Sequence, residues 1–251
     1  PTSRDDLGLP EGFMQNLVLK TIYTKGIMLG KEISAELKIP FGSLLRDLLD
    51  QLEDEEYIEI RGGGQFADQW EYKITDQGRT RVREIFEEDR YIGPVPVPLE
   101  QYDEITNKFA VSDEQVSRDD LVRAFEDLVV REEHYEVFGP AINSGRSVFV
   151  YGEPGNGKTV ICEHVIEAFN DYVAIPHAIF AGGSVIKLYD PYYHEMEEVP
   201  DKTIDERWIV TRRPFVSVGG ELTMEELDLI YNPDVGFYEA PFQLKANTGI
   251  L

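Results

Sequence analysis

Apolar residues recur at helical spacing through the first third of the chain. Met14, Leu17, Val18 and Ile22 mark one amphipathic helix. Ile33 and Leu37 mark a short second one that stops near Pro40, and Leu45, Leu48, Leu49 and Leu52 mark a third. The pattern then changes to short β-rich runs, "YIEI" and "WEYKIT", on either side of the glycine-rich tip "RGGGQFADQ". Such runs predict two strands joined at a tip. Val82, Ile85 and Phe86 set the inward face of a closing helix.

At residues 91–102 the periodicity stops. "YIGPVPVPLEQY" alternates proline with valine, which favours a stiff, extended and exposed linker. It divides the chain into an N-terminal tail at 1–10, a first block at 11–90, a linker and lead-in at 91–116, and a second block at 117–251. In the second block "SRDDLVRAFEDLVV" is helical, with a capping box from Ser117 to Asp120. "SVFVY" at 147–151 reads as a buried strand. "DYVAIPHAIFAGGSVIKLYD" reads as β-rich runs folded about Gly182-Gly183. "RRPFVSVGGELTMEELDLIY" reads as a strand followed by an amphipathic helix.

Composition narrows the possibilities. The 251 residues are 42% hydrophobic, enough for a packed core, and carry a formal charge of −24. A field of that sign repels phosphate backbones, which disfavours non-specific nucleic-acid binding. Cys162 is the one cysteine, so no intrachain disulfide framework is expected. It lies on a predicted helix and is expected to be a small buried residue. No leader and no long apolar run is evident, pointing to a cytoplasmic protein without a membrane span. The first residue is Pro1, which is read as processing or as a fragment.

The candidate chemistry is concentrated in one loop. Gly152, Glu153, Pro154, Gly155, Asn156, Gly157, Lys158 and Thr159 fit G-x-x-x-x-G-K-[ST]. Glycines let the backbone curl so that successive N–H groups point into one hollow. The helix that follows, starting through Val160, adds the positive end of its dipole. Lys158 is expected to reach the β- and γ-phosphates of a nucleotide, and the Thr159 hydroxyl to ligate Mg²⁺. Accident would produce such a loop in roughly one chain of this length in a hundred at ordinary glycine usage. A strand before it and apolar Val160, Ile161, Val165 and Ile166 after it strengthen the reading.

Two resemblances follow from these residues. Three helices, a two-stranded wing and the turn "YKITDQGRTRV" into the closing helix are similar to a winged-helix domain. "GEPGNGKT", with proline and glycine inside the loop, resembles the AAA+ ATPases. "YEAPFQLKANTGIL" resembles the A-x-x-G-x-L approach to the Walker B strand in the MoxR, magnesium-chelatase and enhancer-binding branch of that class. The fold class expected is therefore an α/β P-loop core, a partial AAA+ module, preceded by an α+β winged-helix domain.

The resemblance implies an ATPase that couples hydrolysis to remodelling a protein client, assembled as a homo-oligomeric ring. It places the Walker B carboxylates, sensors and arginine finger after Leu251, so residues 1–251 alone are expected to turn ATP over at background rate. It also puts Phe109 and Val111 near the adenine, though plain core residues are the simpler reading. The alternative is an ATP-responsive regulator whose winged helix binds DNA through Lys73, Arg79, Arg81 and Arg83. Against it, the third helix offers Arg46 among Asp47, Asp50, Glu53, Asp54, Glu55 and Glu56.

Other clusters carry less. "HEMEE" from His194 to Glu198 is not a metal-binding H-E-x-x-H and reads, with His177, as structural; its acids run around a solvated turn. Arg212 and Arg213 face either a phosphate, a neighbouring subunit or, most simply, a salt-bridge partner.

Overall fold

The computed structural model describes residues 4–109, 115–146, 148, 150–153, 155–197, 205–219 and 222–251. Its first elements are α1 (Arg4–Leu7), α2 (Glu11–Lys25), β1 (Met28–Leu29), α3 (Gly30–Leu37) and α4 (Ser43–Asp54). They continue with β2 (Ile58–Gly63), β3 (Trp70–Ile74) and α5 (Asp76–Glu88). The three strands form an antiparallel sheet in the order β1-β3-β2. The apolar stripes read from the sequence are its core: Leu17, Val18, Ile22, Ile33, Leu45, Leu49, Leu52 and Val82 are fully buried.

Two residues explain the turn into α5. The Thr75 hydroxyl oxygen accepts from the Gly78 amide at 3.0 Å and so caps the helix. Gly78 lies against the Tyr57 carbonyl so closely that a Cβ would come within 2.1 Å of the oxygen. Only glycine permits that approach of helix to strand.

Within the expected tail, residues 6 and 7 are held against the rest of the chain. Leu7 is buried, and the carbonyl of Asp6 accepts from Gln101 Nε2 at 2.8 Å.

The proline-valine segment is not an exposed linker either. It contains β4 (Val97–Pro98), which pairs parallel with β6 (Ala178–Ala181). Tyr91, Val95 and Val97 are buried, and the Val95 amide donates to the Leu37 carbonyl at 2.9 Å. The prolines do hold the chain extended, as expected. The valines between them then present an apolar stripe, and the stripe docks. Proline in β4 is tolerated because the strand lies at a sheet edge.

After β4 come α6 (Leu99–Asn107), α7 (Arg118–Ala124), α8 (Glu132–Asn143) and α9 (Lys158–Val165). Next are β5 (Tyr172–Pro176), β6, β7 (Ser184–Lys187) and β8 (Trp208–Arg212). The last elements are β9 (Ile230–Asn232), β10 (Phe237–Glu239) and α10 (Phe242–Lys245). The capping box at Ser117 and Asp120 forms as expected and starts α7. Gly182 and Gly183, with φ of 57° and 83°, make the two-residue turn between β6 and β7.

The second half is organised by a mixed five-stranded sheet, β4-β6-β7-β10-β9, beside a two-stranded β5-β8 ribbon. The five-stranded sheet is covered on both faces. Ala178, Val185 and Phe237 join the core of the N-terminal block, where Phe13 and Phe180 stack with ring centroids 4.7 Å apart. Their neighbours Ile179, Ile186 and Tyr238 face the other way, onto Tyr102 of α6 and onto Val173 and Ile209 of the β5-β8 ribbon. Burial on both faces is why "AIFA" and "SVIK" are apolar almost throughout rather than alternating. A third cluster, around Leu121, Phe125 and Ala168, packs α7, α8 and α9 together. The chain is thus a mixed α and β fold whose N-terminal block shares a core with one face of the five-stranded sheet, beside two further clusters.

Two expected elements are absent from the described residues. Val148, Val150 and Tyr151 pair with no strand, and Val148 and Tyr151 are exposed; Ser147 and Phe149 lie outside the described residues. A β-branched run becomes a buried parallel strand only where neighbours take both its edges, and the described ladders offer it none. The helix expected after Gly219 is a single 3₁₀ turn at Glu225–Leu227, followed by β9. Pairing with β10 takes Ile230 and Tyr231 into the sheet instead.

Candidate functional site

The glycine loop enters α9 as the sequence requires. Gly157 is the N-cap, left-handed at φ 71°, and no side chain caps that end of the helix. Gly155 is also left-handed, at φ 84°. A Cβ added to Gly155 or to Gly157 meets nothing within 4 Å, so the space beside the loop is open. The first main-chain bond of the helix is from the Ile161 amide to the Gly157 carbonyl, at 2.9 Å. The amides of Lys158, Thr159 and Val160 are the ones a helix start leaves without an intrahelical acceptor.

Gly152, Glu153, Gly155, Asn156, Gly157, Thr159 and Val160 are all exposed, and Pro154 lies outside the described residues. Lys158 is half-buried and folds back across the loop. Its ammonium donates to the Gly152 carbonyl at 3.0 Å and to the Glu153 carbonyl at 2.9 Å. The loop therefore brings together one cation, one hydroxyl and the positive end of a helix dipole.

Behind the loop, under α9, is a cleft of about 860 Å³. Ile161, Cys162 and Val165 of α9 form one wall. Phe138 of α8, Phe169, Phe215 and Ile250 form others, and Thr106 and Asn107 end α6 at its rim. Cys162 is half-buried there rather than packed in a core. Sequence reasoning did not find this cleft, since its walls come from five separate stretches. The only local signal is the alternation of Val148 and Val150, both of which line it.

The adenine candidates fare differently. Phe109 packs beside the cluster of Val97, Tyr102 and Val173, and its carbonyl accepts from Arg213. It is a core residue and does not line the cleft. Val111 lies outside the described residues.

Compared with models of known protein families the chain matches none, and no curated protein matches it.

The remaining polar clusters are structural. Arg213 is buried and bonds both oxygens of Asp171, with the carbonyls of Phe109 and Thr248 taking its third nitrogen. Arg212 is exposed and sits 3.4 Å from Glu197. Arg207, equally buried, grips Asp205 and reaches Pro96 and Gln101.

His194 is structural, as expected, while Glu195 beside it is exposed. The histidine is buried, accepts from the Asp190 amide at Nδ1, and donates from Nε2 to the Lys245 carbonyl at 2.8 Å. Burial also holds the His177 imidazole down to about 4, with Lys38 adding to the effect. Glu198 lies outside the described residues. Among the described residues no group of three or more His, Cys, Asp or Glu gathers at metal-binding distance, and no helix is long and apolar enough to cross a membrane.

Proposed function

We propose that this chain is the ATP-binding part of an AAA+ ATPase that remodels a protein client. The observation that carries the reading is the glycine loop itself: two left-handed glycines feeding an uncapped helix start, with Lys158 as the first helical residue. That combination concentrates N–H donors and positive charge on one hollow, which suits a polyphosphate. The open space beside Gly155 and Gly157 is the room such a group needs.

In this reading the amides of Gly155 to Val160 hold the phosphate oxygens. Lys158 gives up its bonds to the Gly152 and Glu153 carbonyls and takes phosphate oxygens in their place. Thr159 turns its exposed hydroxyl to Mg²⁺. When bound, Mg·ATP supplies the phosphoryl group and its charge neutralisation; this chain binds and orients it.

The first block is proposed to be a winged helix, supported by the order α2-β1-α3-α4-β2-β3-α5 and the glycine-rich tip between β2 and β3. Its α4 exposes Asp47, Asp50, Glu53 and Asp54, a surface suited to protein rather than to phosphate backbones. Assembly as a homo-oligomeric ring belongs to the same proposal.

Thermal unfolding with and without Mg·ATP tests it. Specific binding to the folded state raises Tm with ligand concentration, and Lys158→Ala removes the rise. A Tm that is indifferent to Mg·ATP, or equally raised in Lys158→Ala, overturns the reading.

A further inference from the structure

The two edges of the five-stranded sheet are treated differently. The β4 edge is closed: Pro96 and Pro98 lack amide donors, and Arg207 covers the strap through Pro96 and Gln101. Among the described residues the β9 edge has no such protection. Leu229, Ile230 and Tyr231 are 48%, 53% and 42% exposed in succession, and Met224 just before them is 80% exposed. Ile230 pairs with Glu239 and Tyr231 with Tyr238, so the exposed side chains of this edge lie on alternate faces of the sheet. The hairpin is nonetheless well formed, since the Gly236 amide donates to the Asn232 carbonyl at 2.8 Å and the Tyr231 and Tyr238 rings meet edge-on at 5.3 Å.

The segment that forms this edge carries charge of one sign. Residues 222–239 carry Glu225, Glu226, Asp228, Asp234 and Glu239, and no lysine, arginine or histidine. Arg90, from the N-terminal block, donates to the Asp234 carbonyl at the hairpin turn, and Asp228 and Asp234 flank the strand in sequence. A second copy of this chain, itself at −24, would bring acid against acid. A basic strand would not.

We propose that the β9 edge takes up an extended peptide of alternating apolar and Lys/Arg residues as an added strand. Main-chain bonds to alternate residues of the strand give the register, the exposed side chains take the apolar positions, and the flanking acids take the basic ones.

The probe is a labelled eight-residue valine-lysine peptide, read by fluorescence anisotropy. Its glutamate counterpart, and a copy N-methylated at alternate residues along one edge, are run beside it. The expected result is saturable binding of the lysine peptide and none of the glutamate peptide. N-methylation, which removes donors without changing charge, weakens binding at least tenfold when the methylated edge faces β9. Ile230→Lys with Tyr231→Lys weakens it at least tenfold with an unchanged melting profile. Absence of binding, or equal binding of the methylated and plain peptides, overturns the proposal; the methylation arm decides even if the double variant fails to fold. A dimer of the wild-type chain that Ile230→Lys dissolves also overturns it, since a second copy then occupies the edge.

Discussion

The Arg213 guanidinium holds both carboxylate oxygens of Asp171, at 2.8 and 2.6 Å, over the face of Phe169. The same side chain ties Phe109, after α6, to Thr248, after α10. Four stretches far apart in the chain therefore depend on one cation. Arg213→Lys keeps the charge but cannot serve two carboxylate oxygens and two carbonyls together. Removing one partner of a buried pair outright costs about 3–5 kcal/mol, and the lysine variant, which keeps the charge but loses the fork, should cost less than that. Thermal unfolding of the variant is expected at a clearly lower temperature, whereas Arg212→Lys, exposed beside Glu197, leaves it nearly unchanged.

Acid should loosen the contact between the two halves. His177 has its pKa lowered to about 4 by burial and by Lys38 across the interface, while Tyr189 packs on its ring at 5.3 Å. His194 shifts the same way, with burial first and Lys245 adding, against Asp190 and the Lys245 carbonyl. A histidine that is harder to protonate when folded binds more protons in the unfolded chain. Stability is therefore full above about pH 6.5 and falls as pH drops towards 4. His177→Gln should flatten part of that slope in urea titrations at pH 7.5, 6 and 5.

Native-state proteolysis should spare residues 91–102. Tyr91, Val95 and Val97 are buried and β4 is paired to β6, so a protease needs sub-global unfolding to reach them. Cleavage there ahead of every other site would mean that the strap is not packed as described.

The fold was legible where local pattern and packing agree. Leu45, Leu48, Leu49 and Leu52 can only make one face of a helix, and Gly182-Gly183 between two apolar runs can hardly be other than a hairpin. It failed where partners decide. The strap has the composition of a linker, and only the groove between α3 and β6 makes it a strand. Met224 to Tyr231 has helical spacing, yet β10 draws Ile230 and Tyr231 into a ladder. Val148 and Val150 have the composition of a strand but no described neighbour to pair with. For the candidate site, the loop from Gly152 to Thr159 and the start of α9 could be read directly, because glycine and lysine spacing is local. The cleft under α9 could not, because Phe138, Phe169, Phe215 and Ile250 meet only through the fold.

Gly78 gives a sharp check on the turn into α5. A Cβ there falls 2.1 Å from the Tyr57 oxygen, so Gly78→Ala must push the helix off β2. Overpacking of this sort costs about 1–3 kcal/mol. Equilibrium denaturation should show that loss despite the better helix propensity of alanine.

The central claim is that the Gly152–Thr159 loop binds the phosphates of ATP, and isothermal titration of Mg·ATP tests it most directly. Wild-type chain is expected to bind one equivalent. Lys158→Ala should weaken binding at least tenfold, or about 1.4 kcal/mol, and Thr159→Ala should weaken it only when Mg²⁺ is present. No heat of binding in the wild type, or the same affinity in wild type and Lys158→Ala, would contradict the account.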